Sequence, residues 1–401
     1  MDPLYDFINS QYQVWDPCMF LDTAAIDVTE IWTDPTSQSR LTRQRRVATS
    51  DVDEWLKQTS ATIGGAKSSV VLRLVWVKFQ HMERIKHISS AVLDRLLSHF
   101  GIEVAHRWNW TCFAGSTRFD GPGPESGPLF SYSVCNHPKV AAAWSHSPAT
   151  GITQGIYFAG ASQVPELQDL LLSLSAIASH PMLPALVFGI SLSGLIEQEH
   201  KRIKENVRAV EVRTRFHSWA SRNENPAEGD YISLSSATTG AKTKLANLHR
   251  RTIILHELCD FVRENLHPHS KEESLVRSPL VESIVEYTRV LRRRTVLQAA
   301  DVQFFQHRAD AQVAAPAVMI AQDKAAVDTN ITSAMQQDSS SLKTLSLVTM
   351  FFLPDTFLAT LFSVPLLNWK PEEAMEGKFW IYWAFAIPLR LITFGTWWSS
   401  R

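Results

Sequence analysis

Six residues near the C-terminus, five of them bearing hydroxyls, have a spacing that suits packing helices together or lining water rather than breaking a bond. Ser346, Thr349, Leu353, Thr356, Thr360 and Ser363 recur at intervals of three and four, the spacing that puts side chains on one face of an α-helix. Their surroundings are Leu, Val, Phe, Met and Ala. A hydroxyl stripe in such a segment has two uses. It brings small residues of neighbouring helices into contact, or it lines water along a shared axis. Carried backward, the same face collects Asp328, Thr332, Met335, Ser339 and Leu342. The carboxylate strengthens the pore alternative, because cation pathways use rings of carboxylates and polar oxygens. Covalent chemistry finds no comparable support, so no catalytic residue is assigned and the chain is not read as an enzyme. IGGAKSS (63–69) lacks the leading glycine of a phosphate loop and places Ala66 before Lys67, so it reads as a turn. His256-Glu257, His267 and His269 match no standard metal-ligand spacing. Arg292-Arg293-Arg294 reads as a solvated helix face, with a second use in restraining cations or meeting acidic neighbours.

The stripe belongs to the first of two apolar segments. Residues Leu345 to Leu367 carry a single charge, Asp355, and residues Phe379 to Trp398 carry a single charge, Arg390. Both meet the length of about 20 residues that a spanning helix needs. Trp369, Trp380, Tyr382 and Trp383 crowd one level, and Trp397 and Trp398 the other, as amphipathic rings do at headgroup layers. These features predict a C-terminal transmembrane hairpin, with the lipid bilayer as a partner. A soluble core rarely needs two such segments with their aromatic ends in register. An isolated charge at mid-bilayer costs about 2.5–3.5 kcal/mol on insertion scales, so each charge needs a partner. Asp355 precedes Leu366 by as many residues as Arg390 follows Phe379, which places both ~16 Å below one surface at 1.5 Å per residue. An intramembrane Asp355–Arg390 ion pair is therefore expected. The rival placement turns Asp355 toward the pore, although it lies about 100° from Thr356 around the helix.

Composition bounds the rest of the 401 residues. Lys and Arg number 39 against 40 Asp and Glu, for a net charge of −1, so no global basic surface supports a nucleic-acid partner. Cys18, Cys112, Cys135 and Cys259 form no CxxC pair. They imply neither a disulfide framework nor a zinc site, as befits a reducing compartment. The start, MDPLYDFINS, reads as neither signal nor transit peptide. The N-terminal part is thus expected in the cytosol, with the hairpin returning the C-terminus to the same side and the plasma membrane favoured. Lys343 and Arg401 fall on that side, but Lys370 and Lys378 sit in the connecting loop, so charge bias supports the topology only weakly. The sequons Asn109-Trp-Thr and Asn330-Ile-Thr lie on the cytosolic side of it and are expected to stay unmodified.

The expected fold class is α+β: a cytosolic α/β domain over residues 1–240, a helical stalk over 241–344, and the hairpin. The hairpin divides into a pore-lining transmembrane helix 1 at 345–367, an external loop at 368–378, and transmembrane helix 2 at 379–398. Residues 1–65 read as mixed. VVLRLVWVKF (70–79) is β-branched and follows Gly64-Gly65, which predicts a buried strand. SSAVLDRLLSHF (89–100) predicts an amphipathic helix stopped by Gly101. GSTRFDGPGPESGP (115–128) predicts a loop, and residues 151–160 a strand. Residues 165–219 read as helical, interrupted near His180-Pro181 and Pro184, with a polar link over 221–243. Helices are then expected from Lys244 to about Leu266, and from Ser278-Pro279 onward. The latter, ~85 residues and ~125 Å at 1.5 Å per residue, runs into the first span, with Pro316 expected to kink or break it.

The tracts DSSSLKTL (338–345), FFLPDTFLATLFSVPLLNW (351–369) and FWIYWAFAIPL (379–389) resemble the CorA family of divalent-cation channels in its divergent fungal branch. HPMLPALVF (180–188) is similar to another segment of that branch. The resemblance implies a passive magnesium or other divalent-cation channel. It implies a homopentamer with a cytosolic funnel, a stalk helix running into the pore, and an outer ring of second spans. Magnesium enters as the transported or regulatory ion, with no further cofactor. Family members end the pore helix with Gly-Met-Asn, whose asparagine ring holds hydrated magnesium; here the matching positions are Ser363, Val364 and Pro365. By the same alignment Thr356 corresponds to a pore-facing threonine, Leu353 to a hydrophobic gate, and Ser339 to a pore asparagine. Asp328 corresponds to an acidic residue at a magnesium-sensing contact between subunits. The family's basic tail is reduced to Arg401. Losing Gly-Met-Asn leaves a second expectation open: a non-conducting, membrane-anchored homologue acting as an oligomeric scaffold or sensor.

Overall fold

The computed structural model describes residues 3–15, 18–34, 39–63, 66–112, 114–122, 127–136, 140–214, 231–266, 279–364 and 379–399. The strands are β1 (Met19–Phe20), β2 (Ala25–Thr33), β3 (Arg40–Ala48), β4 (Ser60–Ile63) and β5 (Ala66–Gln80), followed by β6 (Ile85–Lys86), β7 (Ala114–Pro122), β8 (Pro128–Asn136), β9 (Val140–Ser147) and β10 (Ile152–Ala159). The helices are α1 (Pro3–Trp15), α2 (Val52–Lys57), α3 (Ser90–Phe100), α4 (Glu103–Thr111) and α5 (Val164–Ser173). Four longer ones follow: α6 (Leu183–Thr214), α7 (Tyr231–Glu264), α8 (Pro279–Phe362) and α9 (Phe379–Ser399). The chain divides into two compact units, Met1–Pro316 and Ala317–Arg401.

In the first unit β5 organises the sheet because both of its faces are apolar. The neighbours run β3-β2-β5-β10-β9-β8-β7; β5 and β10 pair in parallel and the other neighbours antiparallel. Alternation sends Leu72, Leu74 and Trp76 to one face, where they join Tyr132, Trp144 and Tyr157 against α5, α6, α7 and the start of α8. Val75, Val77 and Phe79 point the other way, against Trp55 of α2, Leu96 and Phe100 of α3 and Trp110 of α4. A strand covered on both sides reads as a continuous apolar run, which is why β5 is legible in the sequence. The fold is mixed α+β, with an α/β N-terminal part and a long C-terminal helix.

Local signals act as expected at α3. Ser89 caps its start by accepting from the Val92 amide at 3.3 Å. Gly101 closes it at φ +64, the left-handed conformation that glycine reaches without strain. Elsewhere the structure corrects the reading. Most of the stretch expected as a loop over 115–128 belongs to β7 and the start of β8, which pair from Ala114↔Asn136 to Pro122↔Pro128. Glycine and proline are tolerated there because β7 ends the order of strands and the prolines sit at strand ends. The polar link over 221–243 is helical from Tyr231 onward. Leu234, Thr238, Ala241 and Leu245 are buried at helical spacing, so a thin internal stripe outweighs a polar composition. Residue 316 does not break α8, whose backbone stays helical from 279 to 362. Within IGGAKSS, Ile63 ends β4 and pairs with Ala66, and Ala66 to Ser69 belong to β5.

One charged cluster is sealed inside this unit. Glu30, fully buried, receives Nε of Arg73 at 3.1 Å and the Trp55 indole N–H at 2.9 Å. Arg45 approaches its other oxygen at 3.1 Å. Arg73 also donates to the carbonyls of Leu56 and Gln58 and stacks 4.6 Å from the Trp55 ring centroid. Burial lowers the Arg73 guanidinium from its ordinary value while Glu30 opposes the shift. Removing one member strands the other's charge in the interior. Glu30→Ala is expected to cost about 3–5 kcal/mol in equilibrium unfolding. Adding Arg73→Met should recover much of that loss; a single-mutant cost below about 1 kcal/mol would show that water replaces the pair readily.

Candidate functional site

In the second unit, α8 is long and apolar enough to cross a membrane. It is the single such helix among the described residues. The 21 residues of α9 include Arg390 and Trp380, Trp383, Trp397 and Trp398, side chains that lower a hydropathy average although tryptophan suits the interfacial level.

Packing between α8 and α9 buries Leu358 and Ala386 and covers Pro354. Phe362 meets Tyr382 and Phe385 with ring centroids 6.2 and 6.5 Å apart. At the centre of this contact Arg390 Nε donates to Asp355 Oδ1 at 3.0 Å, and its Nη2 contacts Oδ2. Two parallel contacts make the pair bidentate, the strong form of a guanidinium–carboxylate interaction. The Tyr382 hydroxyl donates to the Asp355 carbonyl at 3.3 Å. Phe351 lies under the guanidinium at 4.5 Å, where the ring's quadrupole attracts the cation. Sequence reasoning missed Tyr382 and Phe351. The spacing of Phe351 and Asp355, four apart and so on one helix face, was the available signal.

The pair fixes how α8 is turned. At about 100° per residue, Phe351, Pro354, Asp355, Leu358 and Phe362 centre on the direction of α9. Ser346, Thr349, Leu353, Thr356, Thr360 and Ser363 centre on the opposite direction, and all six are exposed. Their hydroxyls are oriented by the helix itself. Thr349 donates to the carbonyls of Leu345 and Ser346, Thr356 to Phe352, Thr360 to Thr356, and Ser363 to Ala359, at 2.6–3.1 Å. A hydroxyl has one proton and two lone pairs. With the proton spent on the backbone, these four side chains offer oxygen acceptors outward, the polarity that suits a cation or the waters around it.

The remaining sequence-derived positions are less assembled within one chain. Asp328 and Ser339 are exposed on α8, and the Asp328 carbonyl accepts from Thr332 at 2.7 Å. No group of three metal-ligating side chains occurs among the described residues, so a site at Asp328 would need donors from further copies. Val364 is exposed beside Ser363 just beyond the end of α8. Pro365, residues 368–378 with Glu372, Glu373 and Glu376, and His267 and His269 lie outside the described residues. Arg292 approaches Asp260 at 3.5 Å and Arg294 approaches Glu197 at 3.7 Å, so the arginine run meets acidic neighbours. Asn109 is buried and its side-chain amide donates to Ala142 O at 2.9 Å.

No family model matches the chain, and no curated protein matches it in sequence. Among solved structures it is similar to the full-length CmaX protein, at 14% identity and TM-score 0.38, over 94% of this chain and 98% of that one. It is also similar to the CorA magnesium transporter from Methanocaldococcus jannaschii, at 9% identity and TM-score 0.39, over 94% and 98%. A third is the ZntB cytoplasmic domain from Vibrio parahaemolyticus RIMD 2210633, at 12% identity and TM-score 0.32, over 76% and 98%.

Two outcomes are expected. Asp355→Ala should lower membrane insertion or assembly, on the scale of the ~2.5–3.5 kcal/mol that one unpaired intramembrane charge costs. Asp355→Arg with Arg390→Asp should restore it, as read by the membrane-integrated fraction. Failure of the swap, together with loss of ion flux in Asp355→Asn, would assign the carboxylate to the pore. In a glycosylating membrane Asn109 should stay unmodified on either topology, because its amide is buried. Exposed Asn330 is the informative sequon, and a glycan on it would reverse the cytosolic placement.

Proposed function

We propose that this protein is a CorA-like, passive transporter of magnesium or another divalent cation, assembled as a homopentamer with the hydroxyl face of α8 along its axis. The observation that carries the reading is the orientation of that face: acceptor oxygens turned outward, opposite the contact with α9. Around a five-fold axis each hydroxyl position would become a ring. Its lone pairs would accept from a hydrated cation's waters or stand in for some of them. Leu353 would sit among these rings as an apolar constriction. Asp328 from neighbouring copies would bring like charges together, and a bound divalent cation would offset their repulsion and stabilise the closed assembly.

The entrance should be undemanding. With Ser363, Val364 and Pro365 where the family carries Gly-Met-Asn, a hydroxyl and backbone carbonyls would replace a ring of amides. Glu372, Glu373 and Glu376 would concentrate cations just outside. The same substitution supports a second reading: a membrane-anchored oligomer that does not conduct and works as a scaffold or sensor.

Purified protein in liposomes holding a magnesium-sensitive dye tests the first reading. Flux is expected, and Thr356→Val should lower it about tenfold or more, since a hydrogen bond to a charged partner contributes about 1.5–3 kcal/mol. Absence of flux from an intact oligomer would select the scaffold, and a monomer in both mild detergent and nanodiscs would remove the pore. Magnesium should raise the unfolding temperature of the wild type more than that of Asp328→Ala; equal increments would exclude Asp328 from sensing. Neutralising the three loop glutamates should reduce conductance mainly at low salt, because surface attraction is screened beyond a Debye length.

A further inference from the structure

Cys112 and Cys135 stand far apart in the chain, yet the fold brings their sulfurs to 3.5 Å. Cys112 follows the last turn of α4, where its thiol donates to the Trp108 carbonyl at 3.1 Å. Cys135 lies on β8 between Gly115 of β7 and Ala141 of β9. Neither is disulfide-bonded. Cys112 is half-buried, within reach of a small reagent, whereas Cys135 is 1% exposed. One sulfur is thus placed to be attacked from solution and the other to attack it in turn.

We propose that Cys112 and Cys135 form a reversible redox site, in which a small-molecule disulfide oxidises them to an intramolecular bond tying the end of α4 to β8. The Cys112 thiolate attacks one sulfur of oxidised glutathione, forming a mixed disulfide and expelling a glutathione thiolate. Cys135, its proton lost to solvent, attacks the Cys112 sulfur and expels the second glutathione thiolate. Two electrons pass from the protein to one glutathione disulfide, and two protons complete the two released thiols. The sulfurs must close from 3.5 Å to about 2.05 Å.

The electrostatics fit these roles. The hydrogen bond from Cys135 holds the Cys112 thiol below its ordinary range, with burial opposing, and a lowered thiol is the readier nucleophile. Cys135 is pushed up, first by that same hydrogen bond and then by burial. In the mixed disulfide Cys112 no longer carries a thiolate, so its hydrogen bond and its charge cease to restrain Cys135 when it must act, and burial remains.

The full-length protein in detergent, incubated with excess oxidised glutathione and mapped by peptide mass, tests the site. The expected product is a Cys112–Cys135 cross-linked peptide pair lighter by two hydrogens, with the unfolding midpoint raised by several degrees and both changes reversed by dithiothreitol. Cys112→Ser should abolish both, while Cys18→Ser keeps both. A glutathione adduct persisting on Cys112 beside a free Cys135 overturns the proposal, as does pairing of either sulfur with Cys18 or Cys259, or no oxidation. The wild-type map decides alone if Cys112→Ser fails to fold.

Discussion

Asp355 and Arg390 are the single charges of their two apolar segments, and neither tolerates an apolar environment alone. Meeting each other removes that conflict and, by the same contact, sets the rotation of α8. Leu358 and Phe362 follow Asp355 toward α9, with Pro354 on the same side. Thr349, Thr356 and Thr360 then have nowhere to point but away. The hydroxyl stripe is therefore available because the charges are occupied. Tyr382 and Phe351 hold the pair from two further directions, so the setting does not rest on one hydrogen bond.

The first unit obeys a related constraint in its interior. Arg73 is flanked on its strand by apolar side chains from Val70 to Val77, and Glu30, Trp55 and two carbonyls surround it. Once satisfied, the arginine specifies how β2, β5 and α2 fit together. A sealed pair of this kind contributes little net stability compared with an apolar substitute, but it penalises any packing that leaves a partner out. In both units paired charge acts as a statement of geometry more than as a source of adhesion.

Legibility in the sequence followed the strength of the local pattern. The strand around Val70–Phe79 was visible because both faces are apolar, and α3 because Ser89 and Gly101 mark its ends. The stripe was visible because five hydroxyls repeat at helical spacing in apolar surroundings. The start of α7 was hidden because the residues it buries are few and its polar residues dominate any window. β7 was hidden because glycine and proline signal turns, whereas pairing with β8 is a long-range event that no local pattern records.

By itself the chain determined the two apolar segments, the spacing of the stripe, the matched depths of Asp355 and Arg390, and the long helix beginning at Pro279. Each of these is a repeat or a count along one element, and short-range sterics and hydropathy suffice to express it. Tertiary structure alone decided that the hydroxyls face away from α9. It alone joined Arg73 to Glu30, buried the Asn109 sequon, and set Cys112 against Cys135. Those facts concern the direction of a side chain relative to a distant segment, and direction is fixed only when the packed faces exclude every other rotation.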